Sequence, residues 1–260
     1  MKHLITVALL ASMVLVGCGG GGGGSSNPPP IPSAKVGGFW SGSVTVDGQD
    51  TYEVAGVIAE DGRAHFLREH LSHYWGTVTA SGNTITANIS GAVEYGTLFV
   101  DGSTSGSGSM SGTIAERKSI TASITFTTER GTRTTATVSL TYASEYEADS
   151  SLSRVSGNYT FALDPGADSL NISSSGALFG QDPWTGCVVN GRVRTIDTNY
   201  NLYDVQFTFS NCNGIDAVLN GETFSGLGFL DLVTPEWLIV FTHGSVGGNQ
   251  YGNTWLYERY

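Results

Sequence analysis

The densest set of chemistry-bearing side chains lies between His65 and Tyr74, a stretch that holds His65, Arg68, Glu69, His70, His73 and Tyr74. Imidazoles and a carboxylate are donors that a zinc site takes, and an imidazole is also the ligand of a haem iron. In a helix, His70 and His73 would share a face beside Glu69. In a strand the same two histidines point to opposite faces and no common site forms. The stretch is read as an amphipathic, solvated connection between strands, and no metal or other cofactor is expected. Asp47, Asp50 and Glu53 could be drawn as calcium ligands, but Asp47-Gly48 between two alternating runs is better explained as a hairpin turn.

Catalytic motifs find no support. There is no G-x-S-x-G, and no glycine-rich loop leads from a strand into a helix, so neither an acyl-transfer nucleophile nor a phosphate cradle is indicated. A non-enzymatic protein is expected.

The elements that hold these residues begin with a leader. Leu4 to Val16 form a short apolar segment behind Lys2, the layout of a secretory signal peptide and too short to span a bilayer. At its end, Leu15-Val16-Gly17-Cys18 resembles the lipobox of bacterial lipoproteins. That resemblance implies acylation of Cys18, palmitate among the chains, and cleavage before it. Gly19, where that family places Asp to retain a protein at the inner membrane, implies the outer membrane, with the periplasmic or surface face left open. Gly19 to Gly24 and Pro28-Pro29-Pro30-Ile31-Pro32 then make a tether that could reach roughly 50 to 60 Å when extended.

The formal charge is -11, with 12 basic against 23 acidic residues. An acidic surface repels phosphate backbones, so no nucleic acid is expected, and a protein partner would be favoured if basic. Abundant Gly, Ser and Thr without a helical apolar period read as all-β.

Strand signals fill the rest. Trp40, Val44 and Val46 alternate up to Asp47-Gly48; Tyr52, Val54 and Ile58 continue to Asp61-Gly62. Ile85, Ala87 and Ile89, then Ile120 to Phe126, then Ala136 to Tyr142 repeat the period of two. Glu145 to Ser156 break it and read as a linker with one helical turn. The organisation then recurs: Gly38 matches Gly157, Gly62 matches Gly176, Ser111-Gly112 matches Ser225-Gly226, Ile124 matches Leu238 and Tyr142 matches Tyr257, at offsets of about 114 to 119 residues. An internal duplication is expected.

With Cys18 acylated, Cys187 and Cys212 remain as a pair in an oxidising compartment. Pairing the apolar faces that contain Val189 and Phe209 puts Cys187 opposite Asn211, one residue short of Cys212. A bulge or twist at the strand ends closes that gap, so a Cys187–Cys212 disulfide is predicted. The continuous run Trp237 to Phe241 predicts a strand buried on both faces, at the contact between the two halves. A terminal Tyr260 suits a porin-type barrel, but Glu258, Thr254 and Gly252 fall where lipid-facing residues belong.

Gly38-Phe39-Trp40 and Gly157-Asn158-Tyr159 resemble the G-x-W of the lipocalin first strand, and Thr198-Asn199-Tyr200 resembles the lipocalin T-D-Y turn. The gap of about forty residues between the second pair of motifs is roughly half that of lipocalins. The resemblance implies at most a lipocalin-like, up-and-down barrel in each half, with Trp40 and Tyr159 plugging the floors.

The expected organisation is therefore a signal peptide over 1–17, lipidated Cys18 and tether over 18–36, a first barrel over 37–146, a linker over 147–156 and a second barrel over 157–260. The leading expectation for function is a non-catalytic, lipid-anchored envelope protein that engages a protein partner, with inhibition of a basic cell-wall hydrolase as one version. A carrier of a small apolar ligand is the alternative.

Overall fold

The structure, a computed structural model, describes residues 32–68, 72–161, 168–232 and 237–260. Cys18 and the tether up to Ile31 lie outside the described residues, as do Glu69 and His70. The described chain is all-β: two eight-stranded antiparallel barrels in tandem, each closed on itself.

The first barrel runs through β1 (Gly38–Val46), β2 (Asp50–Ile58), β3 (Arg63–Arg68), β4 (Ser72–Ser81), β5 (Thr84–Val93), β6 (Ser105–Ala115), β7 (Ser119–Thr128) and β8 (Arg133–Ala143). Each strand pairs with the next, and β8 returns to β1 with Trp40 opposite Tyr142 and Val46 opposite Ala136. The first hairpin turns at Asp47 and Gly48, both at positive φ (50° and 71°). That is the primed turn whose twist matches the flanking strands. Asp47 also ties the last strand down, its Oδ1 accepting from the Thr135 amide at 2.8 Å.

The linker holds a 3-10 turn over Ser144–Glu147 and one helical turn, α1 (Leu152–Val155), capped by the Ser151 side chain. The second barrel follows as β9 (Gly157–Phe161), β10 (Ser169–Ile172), β11 (Ala177–Gln181), β12 (Val188–Thr195), β13 (Tyr203–Ser210), β14 (Thr223–Asp231), β15 (Trp237–Val246) and β16 (Asn249–Arg259). It is closed by β16 pairing with β9.

The barrels repeat one topology, and the residue pairs matched by sequence offset occupy the same strand or turn in each. Gly62 and Gly176 are the clearest case. Both sit at positive φ in the turn between the second and third strands, and a Cβ at either would lie 2.3 Å from a valine carbonyl oxygen, of Val78 or of Val193. The floors are also equivalent. Trp40 and Tyr159 are buried in the first strand of their barrels, and each donates to a carbonyl four residues back: Trp40 Nε1 to Val36 at 3.3 Å, Tyr159 OH to Val155 at 2.8 Å.

The two barrels share a third core. Phe39, Val57 and Ala59 point out of the first barrel and pack on Leu202, Leu227 and Phe241 of the second, with Tyr146 of the linker buried among them. Tyr146 stacks on Tyr200 at 4.8 Å, and Phe39 meets Phe229 at 4.3 Å. Arg117, at positive φ in the β6–β7 turn, reaches Glu60 (3.3 Å) and the Tyr200 hydroxyl (3.2 Å). Arg63 donates across the seam to Asp204. The apolar run in β15 serves two cores by alternation: Leu238 and Val240 fill the second barrel, Ile239 and Phe241 the seam.

Val189 pairs with Phe209, and the Cys187–Cys212 disulfide is formed. The residue that makes up the odd position is Asn211, whose φ of 59° turns the chain at the strand end and brings Cys212 to Cys187. Asn is one of the few side chains that tolerates this conformation. With the bridged cysteines 25 positions apart, reduction is expected to cost about 3 kcal/mol on the loop-entropy model. Urea unfolding with and without reductant checks this, and the midpoint should fall under reduction.

Candidate functional site

The interior of an eight-stranded barrel is just wide enough for its own side chains to fill. In the first barrel many inward positions carry small residues. Ala64, Gly76, Ala87 and Ala136 stand where the matching wall would need bulk, and of the inward positions on β6 three are glycines, Gly106, Gly108 and Gly112, beside Met110 and Ile114. The space left is a cavity of about 380 Å³, within the range of small-molecule sites. Its walls are apolar, among them Val54, Ile89, Met110, Ile124 and Phe126.

Trp40 seals the floor. The far end is crossed by the loop between β5 and β6, where Phe99 approaches Phe126 at 6.1 Å between ring centroids. Asp101 in that loop accepts from the Thr128 hydroxyl and, at 3.0 Å, from the Ser103 amide. The Thr128 hydrogen bond, joined by those from Ser103, holds the Asp101 carboxyl well below the usual carboxylate range.

The polar groups of the cavity gather at this end. Arg68, the last residue of β3, faces inward with Ala64 and Phe66. Its guanidinium carbon lies 4.7 Å from the Tyr52 ring centroid, and Nη2 donates to Ser72 Oγ at 3.3 Å. Burial raises the Tyr74 phenol, and the nearby Arg68 charge and a hydrogen bond with Ser72 pull against that shift.

The second barrel is filled more fully. Phe207, Phe209, Phe224 and Trp255 interlock inside it, with Phe207 and Phe224 stacked at 6.0 Å. A smaller cavity of about 230 Å³ remains near the disulfide.

The histidines correct one expectation. His65 and His73 lie on β3 and β4 and point out of the first barrel, but they are buried, because the wall of the second barrel covers them. His65 and His73 are therefore not solvated, while Glu69 and His70 between them lie outside the described residues. His65 lies 5.2 Å from His243 of β15, which stacks on Trp75 at 4.6 Å. His73 Nε2 stands 3.4 Å from Glu94 Oε1. Among the described residues no three His, Cys, Asp or Glu side chains converge to hold a metal ion. His243 was not singled out from the sequence, although the β15 alternation through Ile239 and Phe241 carries on to it. Many of the cavity residues, Val54, Ala87, Ile89, Ile124, Phe126 and Ala136 among them, are marked as inward by the alternation, but the sequence does not show that the space they face stays unfilled.

Comparisons with family models, with curated proteins and with solved structures find no match to this chain.

Burial lowers the His65 imidazole to about 3, and the neighbouring His243, His73 and Arg63 charges add to the shift; burial also lowers His243. In the unfolded chain these rings regain an ordinary value near ~6.5. Between those limits the unfolded state binds more protons, so stability is fully present above about pH 6.5 and is lost as the pH falls toward 3. At His65 alone the loss between about pH 6.5 and 5 is on the order of 1–2 kcal/mol. Urea titrations across that range should give a flatter profile for His65→Gln. A profile superimposable on that of the wild type would remove His65 as the source.

Proposed function

We propose that this chain is a non-catalytic, lipid-anchored binding protein of the bacterial outer membrane whose first barrel is a receptacle for a small apolar ligand. The observation that carries this reading is the cavity of about 380 Å³ bounded by aliphatic and aromatic side chains. An apolar void of that size forfeits packing that a filled core would have, and an apolar occupant restores it. The lipobox at Cys18 and the Gly/Pro tether support the anchoring.

Fluorescence of N-phenyl-1-naphthylamine, an apolar probe, tests the receptacle. Binding to the full chain is expected, and Ala136→Phe, which places a ring in the cavity, should weaken it by about tenfold or more without lowering the melting temperature. Unchanged probe binding by that variant would place the site elsewhere.

A second reading has its own observation. At the open end of the second barrel, Trp184 is 84% exposed and Ile215 is 83% exposed. They sit on two loops joined by the Cys187–Cys212 bridge and by the Asn213 amide donating to the Thr185 carbonyl at 2.8 Å. Trp184 is further fixed by Asp182, whose Oδ1 accepts from its amide at 2.7 Å. Rigid, exposed apolar residues of this kind act as anchors at protein interfaces. Asp182 and Asp216 beside them suit a basic partner, and a cell-wall hydrolase neutralised by this rim is one version. Pull-down from envelope extract should yield a salt-sensitive partner that Trp184→Ser with Ile215→Ser loses. Recovery unchanged by that pair of substitutions argues against the rim.

A further inference from the structure

We infer that the cavity of the first barrel is built for a single-tailed amphipathic acid, whose tail lies among Val54, Ile89, Met110, Ile124 and Phe126 and whose carboxylate pairs with Arg68 at the open end. This rests on the receptacle reading above and names the head group that the receptacle selects.

Arg63, Arg117 and Arg154 each pair with a carboxylate. Among the described residues no carboxylate pairs with Arg68, whose contacts are the Tyr52 ring and Ser72 Oγ. Its Nε is shut off from solvent and has no hydrogen-bond partner among the described residues. A guanidinium lining an apolar cavity is an expensive group to leave short of an acceptor, because its charge is partly desolvated with nothing in return.

An anionic head delivered on an apolar tail meets that need. The Nε and Nη edge of a guanidinium matches the two oxygens of a carboxylate, and the pair is stronger at the rim of an apolar cavity than in water. Position also selects the wall. Asp101 and Thr128 belong to the same end of the cavity, but β7 is four strands from β3, on the opposite side of an eight-stranded barrel. Repulsion from Asp101 therefore directs an anion toward Arg68. The buried Ser72 hydroxyl and the Tyr74 side chain flank that position.

Displacement of N-phenyl-1-naphthylamine from the full chain provides the test, with octanoate, dodecanoate and hexadecanoate compared against their alcohols at about pH 8, where the acids are ionised. At least one acid should outcompete its own alcohol by about tenfold or more, the worth of a charge-assisted hydrogen bond. Arg68→Gln should bring acid and alcohol to within about twofold of each other while alcohol binding is unchanged, which also shows that the variant is folded. Arg68→Lys should retain part of the preference. Acids no better than alcohols in the wild type, or an acid preference that survives Arg68→Gln, overturns the assignment while the apolar receptacle stands. Displacement by neither class overturns both.

Discussion

Eight strands closed into a barrel enclose a nearly fixed volume, and only every second residue points into it. The content of each barrel therefore depends on the summed size of its inward residues. In the second barrel, Phe207, Phe209, Phe224 and Trp255 take up most of the space. In the first, inward positions on β3 to β6 and β8 carry Gly and Ala, and the same enclosure stays hollow. One topology thus yields a more fully filled barrel and a hollower one, and the difference follows the volume of the inward side chains.

The other half of the residues on each strand face outward, and the seam shows what they do. Phe39, Val57 and Phe241 would be exposed in an isolated barrel. Packed against each other around Tyr146, they make the two barrels one structural unit. The cost falls on the polar residues caught in the contact. His65 and His73 are buried where a lone barrel would have left them in water, and at His65 that burial disfavours the charged imidazole. Arg117 escapes this cost, because the β6–β7 turn holds it where Glu60, Glu147 and the tyrosine hydroxyls satisfy it.

Both barrels close one end with an aromatic residue of the first strand and present loops at the other. The loops then diverge. In the first barrel the β5–β6 loop bends over the cavity and is pinned by Asp101 to Thr128. In the second, the disulfide and the Asp182 hydrogen bonds fix the rim and leave Trp184 and Ile215 in solvent. The duplicated scaffold thus carries two unlike open ends.

Much of the fold was legible from residue types and spacing, because the signals are local. Alternation marks half-buried strands, Asp47-Gly48 marks a primed turn, and pairing Val189 with Phe209 puts Cys187 within one residue of Cys212. The doubly apolar Trp237 to Phe241 run required a second buried face, and the seam supplies it. The sequence alone could not decide what His65 and His73 would meet, since their burial depends on residues about 180 positions away in β15 and β16. Nor could it reveal the cavity. A glycine or alanine at an inward position looks the same in sequence as one at a turn, and only closure of all eight strands turns missing side-chain volume into an enclosed space. Tertiary structure likewise decided that Arg68, one basic residue in a polar stretch, would end a strand facing inward, at the open end of that space and short of an acceptor.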